Sequence, residues 1–414
     1  MSELRPRSNR SKKISGIARH GRLRKSNAWG PLLTIVGASL AVLLVSGASV
    51  AGIAAYQLKS NIKTVTLDSE TEGPPPQIGA IEGGFNILIV GSDGRAGQAG
   101  IGGSVDDESA VLNDVNILLH VSQDQTNAVA VSIPRDMVVT IPECVNSDTG
   151  DTKVTSTEPI NVALSYGGSE GGLNCVVQSV EQLTGLPIQF AGMISFVGVI
   201  NMSDAVGGVD VCVTGPVQDP NTGIDIAAAG TYTLQGIDAL AFLRSRAGVG
   251  DGSDLTRISS QQVYLSALVR KLKDSATLSD PSKLYKLATA ASQNLTLSTG
   301  LANLDTMVSI ALALKNIPLQ RVTFVQYPGT TGGDGVYLGK VQPDSYLGDQ
   351  LFAKIASDTP FLLAQAGDGR GSEADPNAPV TDPSAAPVDN TGLETLDGLR
   401  GQTAADYTCS IANN

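Results

Sequence analysis

The sequence predicts an α/β domain behind a single membrane-spanning helix, and three observations carry that prediction. Hydrophobic runs at Asn86–Gly91, Val115–Val121 and Asn127–Ile133 each border a polar cluster, and these clusters hold Asp93, Asp114 and Arg135. Amphipathic stretches with helical spacing follow them, the clearest running from Asp254 through Leu255, Ile258, Leu265 and Leu268 to Leu272. Finally, no residue between Ser26 and Leu58 is charged. Strand ends that meet polar turns are where open α/β sheets carry ligands, so the pattern speaks to function as well as fold.

The N-terminal elements follow from charge. Residues 1–28 contain nine Lys/Arg against one Glu, so the net charge of -12 conceals a basic start and a strongly acidic remainder. A basic segment followed by apolar residues 29–56, with Trp29 and Tyr56 near its ends, predicts a single-pass helix with a cytoplasmic N-terminus. Ala48–Ala51 also resembles a signal cleavage site, and either reading places the remainder outside the cell membrane. Residues 57–82, with Pro74–Pro76, read as an extracytoplasmic stalk.

The folded domain is expected over 83–363. After the three strands come helices near 174–184 and 195–206, a strand at Val209–Val213, and a helix at Leu234–Arg246. Helices near 281–292, 302–315 and 343–357 and a strand at Arg321–Tyr327 complete it. Residues 364–400, rich in Gly, Asp, Pro and Ala, read as a disordered linker before a tail at 401–414. All four cysteines follow the apolar run, where an oxidising exterior permits disulfides. Of three possible connectivities, Cys144 with Cys175 and Cys212 with Cys409 is favoured. A zinc site is not expected, because no CxxC is present and His120 sits alone in an apolar strand.

The chemistry concentrates in Arg244–Gln262, RSRAGVGDGSDLTRISSQQ. Asp254 reads as an N-cap, with Arg257 and Gln261 following at i+3 and i+7 on the same helix face near its positive end. Guanidinium forks match phosphate oxygens, so Arg95, Arg135, Arg244, Arg246 and Arg257 are candidate anion ligands. Asp93 and Asp114 are carboxylates of the kind that hold magnesium shared with a substrate phosphate. Nucleophile motifs of the Gly-x-Ser-x-Gly type, a P-loop and His-Glu-x-x-His are absent, and no nucleic-acid partner is expected.

At these residues the chain resembles the LytR-CpsA-Psr family of cell-wall glycopolymer ligases. The matching segments are NILIVGSDGR (86–95), NDVNILLHV (113–121), VSIPRD (131–136), INVALSYGG (160–168), Leu183–Pro187, Asp204–Val209 and Leu234–Gln262. The resemblance implies a central mixed sheet flanked by helices on both faces. It implies transfer of a glycopolymer from a polyprenyl-pyrophosphate donor in the membrane to peptidoglycan, through a phosphodiester to the muramic acid 6-hydroxyl. It assigns magnesium, or manganese in its place, to Asp93 and Asp114, and pyrophosphate to Arg135, Arg244, Arg246 and Arg257, supported by Asp254 and Gln261. Asp136 would orient them. Two alternatives share these residues: a pyrophosphatase that hydrolyses the donor, and a non-catalytic lipid-binding module. Where many relatives have Arg-Ser-Asp this chain has Leu112-Asn113-Asp114, and for Arg-Gln it has Ser260-Gln261. Two flanking positive charges are therefore missing, which bears on head-group binding and on acceptor preference, and Arg95 is a candidate to replace one of them.

Overall fold

The computed structural model describes residues 36–39, 42, 45–46, 63–69, 83–94, 111–273, 291, 294–379 and 389–413. The basic segment 1–28, most of the apolar run 29–56, Arg95 and the helix expected near 281–292, save residue 291, lie outside the described residues. Of the apolar run, 36–39, 42, 45 and 46 are helical. Among the described residues no helix is long and apolar enough to cross a membrane.

Strands β1 (Lys63–Val65), β2 (Phe85–Ser92), β3 (Asn113–Val121) and β4 (Ala128–Ile133) precede helix α1 (Ala163–Thr184). Then come β5 (Phe190–Ile194), α2 (Phe196–Val206), β6 (Val209–Val213), β7 (Gly230–Leu234), α3 (Gly236–Arg244) and α4 (Asp254–Lys273). The chain continues through β8 (Leu295–Ser298), α5 (Leu304–Asn316), β9 (Val322–Gln326), α6 (Ser345–Ala356), β10 (Ser372–Ala374), β11 (Gly401–Thr403) and β12 (Thr408–Ser410). Among the described residues one mixed sheet runs β1-β8-β5-β2-β3-β4-β9-β11, and a smaller one runs β7-β6-β12-β10.

Period-two alternation buries both faces of the large sheet. Leu88, Val90, Leu118, Val129 and Val131 point to one core with Val176 and Val180 of α1 and Leu351 and Ile355 of α6. Phe85, Ile87, Ile117, Ala128 and Ala130 point to the other, with Ile310 and Ala313 of α5. Helices therefore cover both faces, as the family resemblance implies. A third core joins Val209, Val211 and Val213 of β6 to Phe242 of α3 and Val263 of α4. Helix α4 thus packs between the two sheets. The disulfides join Cys144 to Cys175 and Cys212 to Cys409.

Four expectations are corrected. Helix α1 begins at Ala163 rather than near 174, continuing through a kink at Gly168 (φ 74°). Its glycines hid it, since Gly167 and Gly172 touch so closely that a Cβ on Gly167 would lie 2.5 Å from the Gly172 nitrogen. Part of the expected stalk is structural: β1 pairs in parallel with β8, and Val65 and Leu67 are buried. Much of the expected linker is folded too. β10 pairs with β12, Leu362–Leu363 pairs with Thr395–Leu396, and Asp368, Leu396 and Leu399 are buried. These pieces are two or three residues long, too short for hydrophobic periodicity to register. Finally, Ser253 rather than Asp254 caps α4, its Oγ accepting the Thr256 N–H at 3.3 Å.

Candidate active site

A bulge begins the site. In the β2–β3 pairing Gly91 faces Val115 and Ser92 faces Asn113, so Asp114 is the extra residue, turned out of the ladder. Asn113 locks this irregularity from inside. Fully buried, it donates to Asn116 Oδ1 (2.8 Å) and the Ile160 carbonyl (3.1 Å) and accepts the Leu164 N–H (3.1 Å). Beyond the next strand end, the Arg135 carbonyl accepts from Asn161 N and the Asp136 carbonyl from Val341 N, which fixes the backbone from which Arg135 reaches the bulge.

The third contribution is the loop between α3 and α4. Asp219, 2 % exposed, pins its start by accepting from Ser245 Oγ, Arg246 N and Ala247 N at 3.0, 3.0 and 3.1 Å. Burial pushes the Asp219 carboxyl up, but these hydrogen bonds and that of Asn221 outweigh it and hold the group below its usual value. Arg246 then projects back over α4.

The three contributions meet on Asp254. Its Oδ1 lies 2.7 Å from Arg257 Nη2, 2.9 Å from Arg246 Nη2 and 3.6 Å from Arg135 Nε. Arg135 Nη1 reaches Asp114 Oδ1 at 2.5 Å, and Arg257 Nη2 donates to the Asp114 carbonyl at 2.9 Å. Asp136 Oδ2 stands 3.8 Å from Arg135 Nε and 3.9 Å from Arg246 Nη2. Burial pulls the Arg257 guanidinium below its usual value despite Asp254. Burial acts the same way on Arg135, but Asp114, Asp254 and Asp136 prevail and hold it above. Arg135 Nε, Arg257 Nε and Asp254 Oδ2 are buried without hydrogen-bond partners. Unpaired buried polar atoms of this kind cost free energy unless a ligand meets them.

An apolar cavity of about 250 Å³ opens beside this cluster. Ile89, Val115, Phe196, Met202, Leu243 and Leu268 line it, and Asp114 and Gln261 form its polar border. Gln261 Nε2 donates to the Leu243 carbonyl at 2.8 Å, joining α4 to α3. Arg244 stacks over the Phe196 ring, 4.3 Å from its centroid, at the cavity wall.

The sequence-predicted residues therefore separate into groups. Asp114, Arg135, Asp136, Arg246, Asp254 and Arg257 converge, while Gln261 borders the cavity and Arg244 stacks on Phe196, one of its lining residues. Asp93 follows the paired residue Ser92, and its Oδ1 accepts the Leu112 N–H at 2.7 Å. Asp93 and Asp114 thus lie at neighbouring strand ends and supply only oxygen donors, a set that fits a hard cation such as magnesium. His120 lies at the far end of β3, between Asn86 Oδ1 (2.9 Å) and Asp358 Oδ1 (3.0 Å). Lys340 was not foreseen: its Nζ stands 3.8 Å from Asp136 Oδ1. It comes from the turn joining Gly329–Thr331 to Val341–Pro343, about two hundred positions from the aspartate it neighbours, and no local pattern marks it. Ser260 stands where many relatives carry arginine. It does not face the arginines; it is fully buried, with its Oγ 2.7 Å from Ser410 Oγ of β12.

Comparison with known proteins agrees with this architecture. The chain is 31 % identical over 288 residues to the cell wall biosynthesis protein LcpA of Corynebacterium glutamicum, covering 62 % of this chain and 52 % of that protein. It therefore spans about half the length of LcpA. It is 25 % identical over 332 residues to the polyisoprenyl-teichoic acid–peptidoglycan teichoic acid transferase TagT of Bacillus subtilis, covering 78 % and 92 % of the two chains. The crystal structure of B. subtilis TagV superposes with a TM-score of 0.51 at 21 % identity, over 67 % of this chain and 99 % of that one, and so shares the fold. The family model described as LytR_cpsA_psr matches residues 45–350. With bulge, arginine cluster and cavity all inside that span, the chain belongs to the LytR-CpsA-Psr family.

Proposed function

We propose that this protein is a membrane-anchored phosphotransferase that moves a glycopolymer from a polyprenyl-pyrophosphate carrier to peptidoglycan. The observation that carries the reading is the junction of opposites at Asp114 and Gln261. Buried guanidinium N–H groups lacking partners lie on one side, and an apolar cavity of about 250 Å³ lies on the other. An amphiphile with an anionic head and a hydrocarbon tail matches both. The tail gains roughly 0.8 kcal/mol per buried methylene, so the cavity holds the donor while the arginines orient it. The names of LcpA and TagT, a cell wall biosynthesis protein and a teichoic acid transferase, support the same class of donor and acceptor.

In this reading Arg135, Arg246 and Arg257 bind the pyrophosphate, with Asp254 setting their spacing and Asp136 holding Arg246 and Lys340 in reach. Asp93 and Asp114 would hold magnesium, which would neutralise further charge on the phosphates. The acceptor hydroxyl oxygen forms the new bond to the glycan-side phosphorus, and its proton passes through solvent to the departing phosphate. The bond from that phosphorus to the bridging oxygen breaks, and polyprenyl phosphate departs with the electron pair. Such transfers depend on positioning and charge neutralisation more than on covalent catalysis. The charge-free run 29–56 would anchor the domain outside the cytoplasmic membrane.

The test supplies the full chain with a polyprenyl-pyrophosphate glycan, magnesium and peptidoglycan fragments. A glycan phosphodiester on the fragments is expected. Release of glycan phosphate with no acceptor product would identify a pyrophosphatase, and binding without turnover would identify a lipid-binding module. Met202→Asp, which places a charge in the cavity wall, is expected to weaken binding of the lipid donor by roughly tenfold or more. Unchanged binding would remove the cavity from the mechanism.

A further inference from the structure

The family match ends at residue 350, yet the chain's last described residues lie against the loop that carries Arg246. Gly250 N donates to the Ile411 carbonyl at 2.8 Å, and Asn413 N donates to the Gly248 carbonyl at 3.1 Å. Asn413 Nδ2 donates to the Ala247 carbonyl, next to Arg246, at 2.9 Å. Val249 and Ala412 form an antiparallel bridge between these bonds. On its other side the loop is packed against α4 with no room to spare: Gly250 has φ +51°, and a Cβ there would lie 2.5 Å from Thr256 Cβ. The supporting strand is itself anchored. β12 pairs in parallel with β6, Cys409 is joined to Cys212, and Thr214 N donates to the Ser410 carbonyl at 3.0 Å. Ile411 N donates to the Gly371 carbonyl, linking a second C-terminal loop to the same place.

Asp219 fixes the loop only from Ser245 to Ala247. Without residues 411–413, the return from Gly248 to Ser253 would lose its partners on that side, and the orientation of Arg246 toward Asp254 depends on both ends of the loop. We propose that Ile411–Asn413 position the Arg246 loop for pyrophosphate binding. They act through the loop backbone and touch no substrate. The inference rests on the reading of the arginine cluster as a pyrophosphate site.

The experiment compares the intact chain with one ending at Ser410, which keeps the disulfide and β12, and with Asn413→Ala. The probes are geranylgeranyl pyrophosphate and geranylgeraniol, the same tail without the phosphates. Truncation is expected to weaken the pyrophosphate by roughly tenfold, the worth of one charge-assisted hydrogen bond, and to leave the alcohol unchanged. Asn413→Ala is expected to act in the same direction more weakly. Amide exchange at Gly250 should rise in the truncated chain. Equal weakening of both lipids, or unchanged pyrophosphate affinity, would overturn the proposal. If the intact chain binds the two lipids equally, the pyrophosphate site itself fails; amide exchange at Gly250 still reports whether the strand holds the loop.

Discussion

On one side of α4, Asp254, Arg257 and Gln261 meet charged partners and the cavity, whereas on the other Ser259, Gln262 and Ser266 meet the C-terminal segment. Both rows share the i, i+3, i+7 spacing of a helix face. The second row is itself neutral and closes on the C-terminal segment through hydrogen bonds. Ser259 Oγ donates to Asp368 Oδ2 at 2.6 Å, and Gln402 Nε2 donates to Ser266 Oγ at 2.8 Å and to the Gln262 carbonyl at 3.3 Å. Gln262 Nε2 is its unpartnered atom. The first row crowds three arginines onto one carboxylate oxygen and leaves Arg257 Nε and Asp254 Oδ2 without partners. Charges this buried destabilise unless fully compensated. The difference teaches that the chain leaves only a neutral amide unmet on one face of the helix, whereas on the other it leaves charged groups for a ligand to complete.

Breaking the first row should have the largest effect. Arg257→Ala removes the nearest partner of Asp254, in a pair whose side chains are both 6 % exposed. Transfer activity is expected to fall on the order of 10²- to 10³-fold, by analogy with loss of one preorganised donor. Stability should fall by about 3 kcal/mol as Asp254 loses compensation. Arg257→Lys should recover part of the stability and little of the activity, because it keeps the charge and loses the fork. Steady-state rates and urea midpoints separate the two, and near-normal activity in Arg257→Ala would refute its placement in the site.

The second row is tested at Asp368. Its Oδ1 accepts from Arg370 N, Gly371 N and Ser372 N, and its Oδ2 from Ser259. Asp368→Ala should cost about 2 kcal/mol in urea unfolding, since it strands buried donors. An unmoved urea midpoint would show that this loop contributes nothing to holding α4. The smallest effect is expected at Lys340, whose side chain is 40 % exposed and therefore screened. Lys340→Ala should raise the donor KM by roughly threefold at low salt, with the difference fading as salt is added. A salt-independent change would mean that Lys340 acts through packing instead.

Local patterns made much of this legible. β2, β3, β4 and α4 repeat hydrophobic residues at their own periods, and Asp254 and Arg257 are neighbours on any helix. The short strands at Lys63–Val65 and Ser372–Ala374 escaped because three residues hold no period, and the first half of α1 escaped because its glycines serve close packing. Lys340 and Asp219 escaped for a different reason. Each joins the site across a large sequence separation, and one lysine or aspartate among many carries no sign of its partner.

By itself the sequence determined which groups the chemistry can use: carboxylates at strand ends, a short run dense in arginine, and cysteines whose pairing in the fold is the one favoured. These are matters of residue type and local spacing. Only the tertiary structure decided that Asp114 stands out of the ladder through a bulge, that Asp254 gathers Arg135, Arg246 and Arg257, and that Ser260 turns to Ser410. Each of those depends on which distant segments pack together, and packing between strands and helices far apart in the chain is settled by the whole core at once.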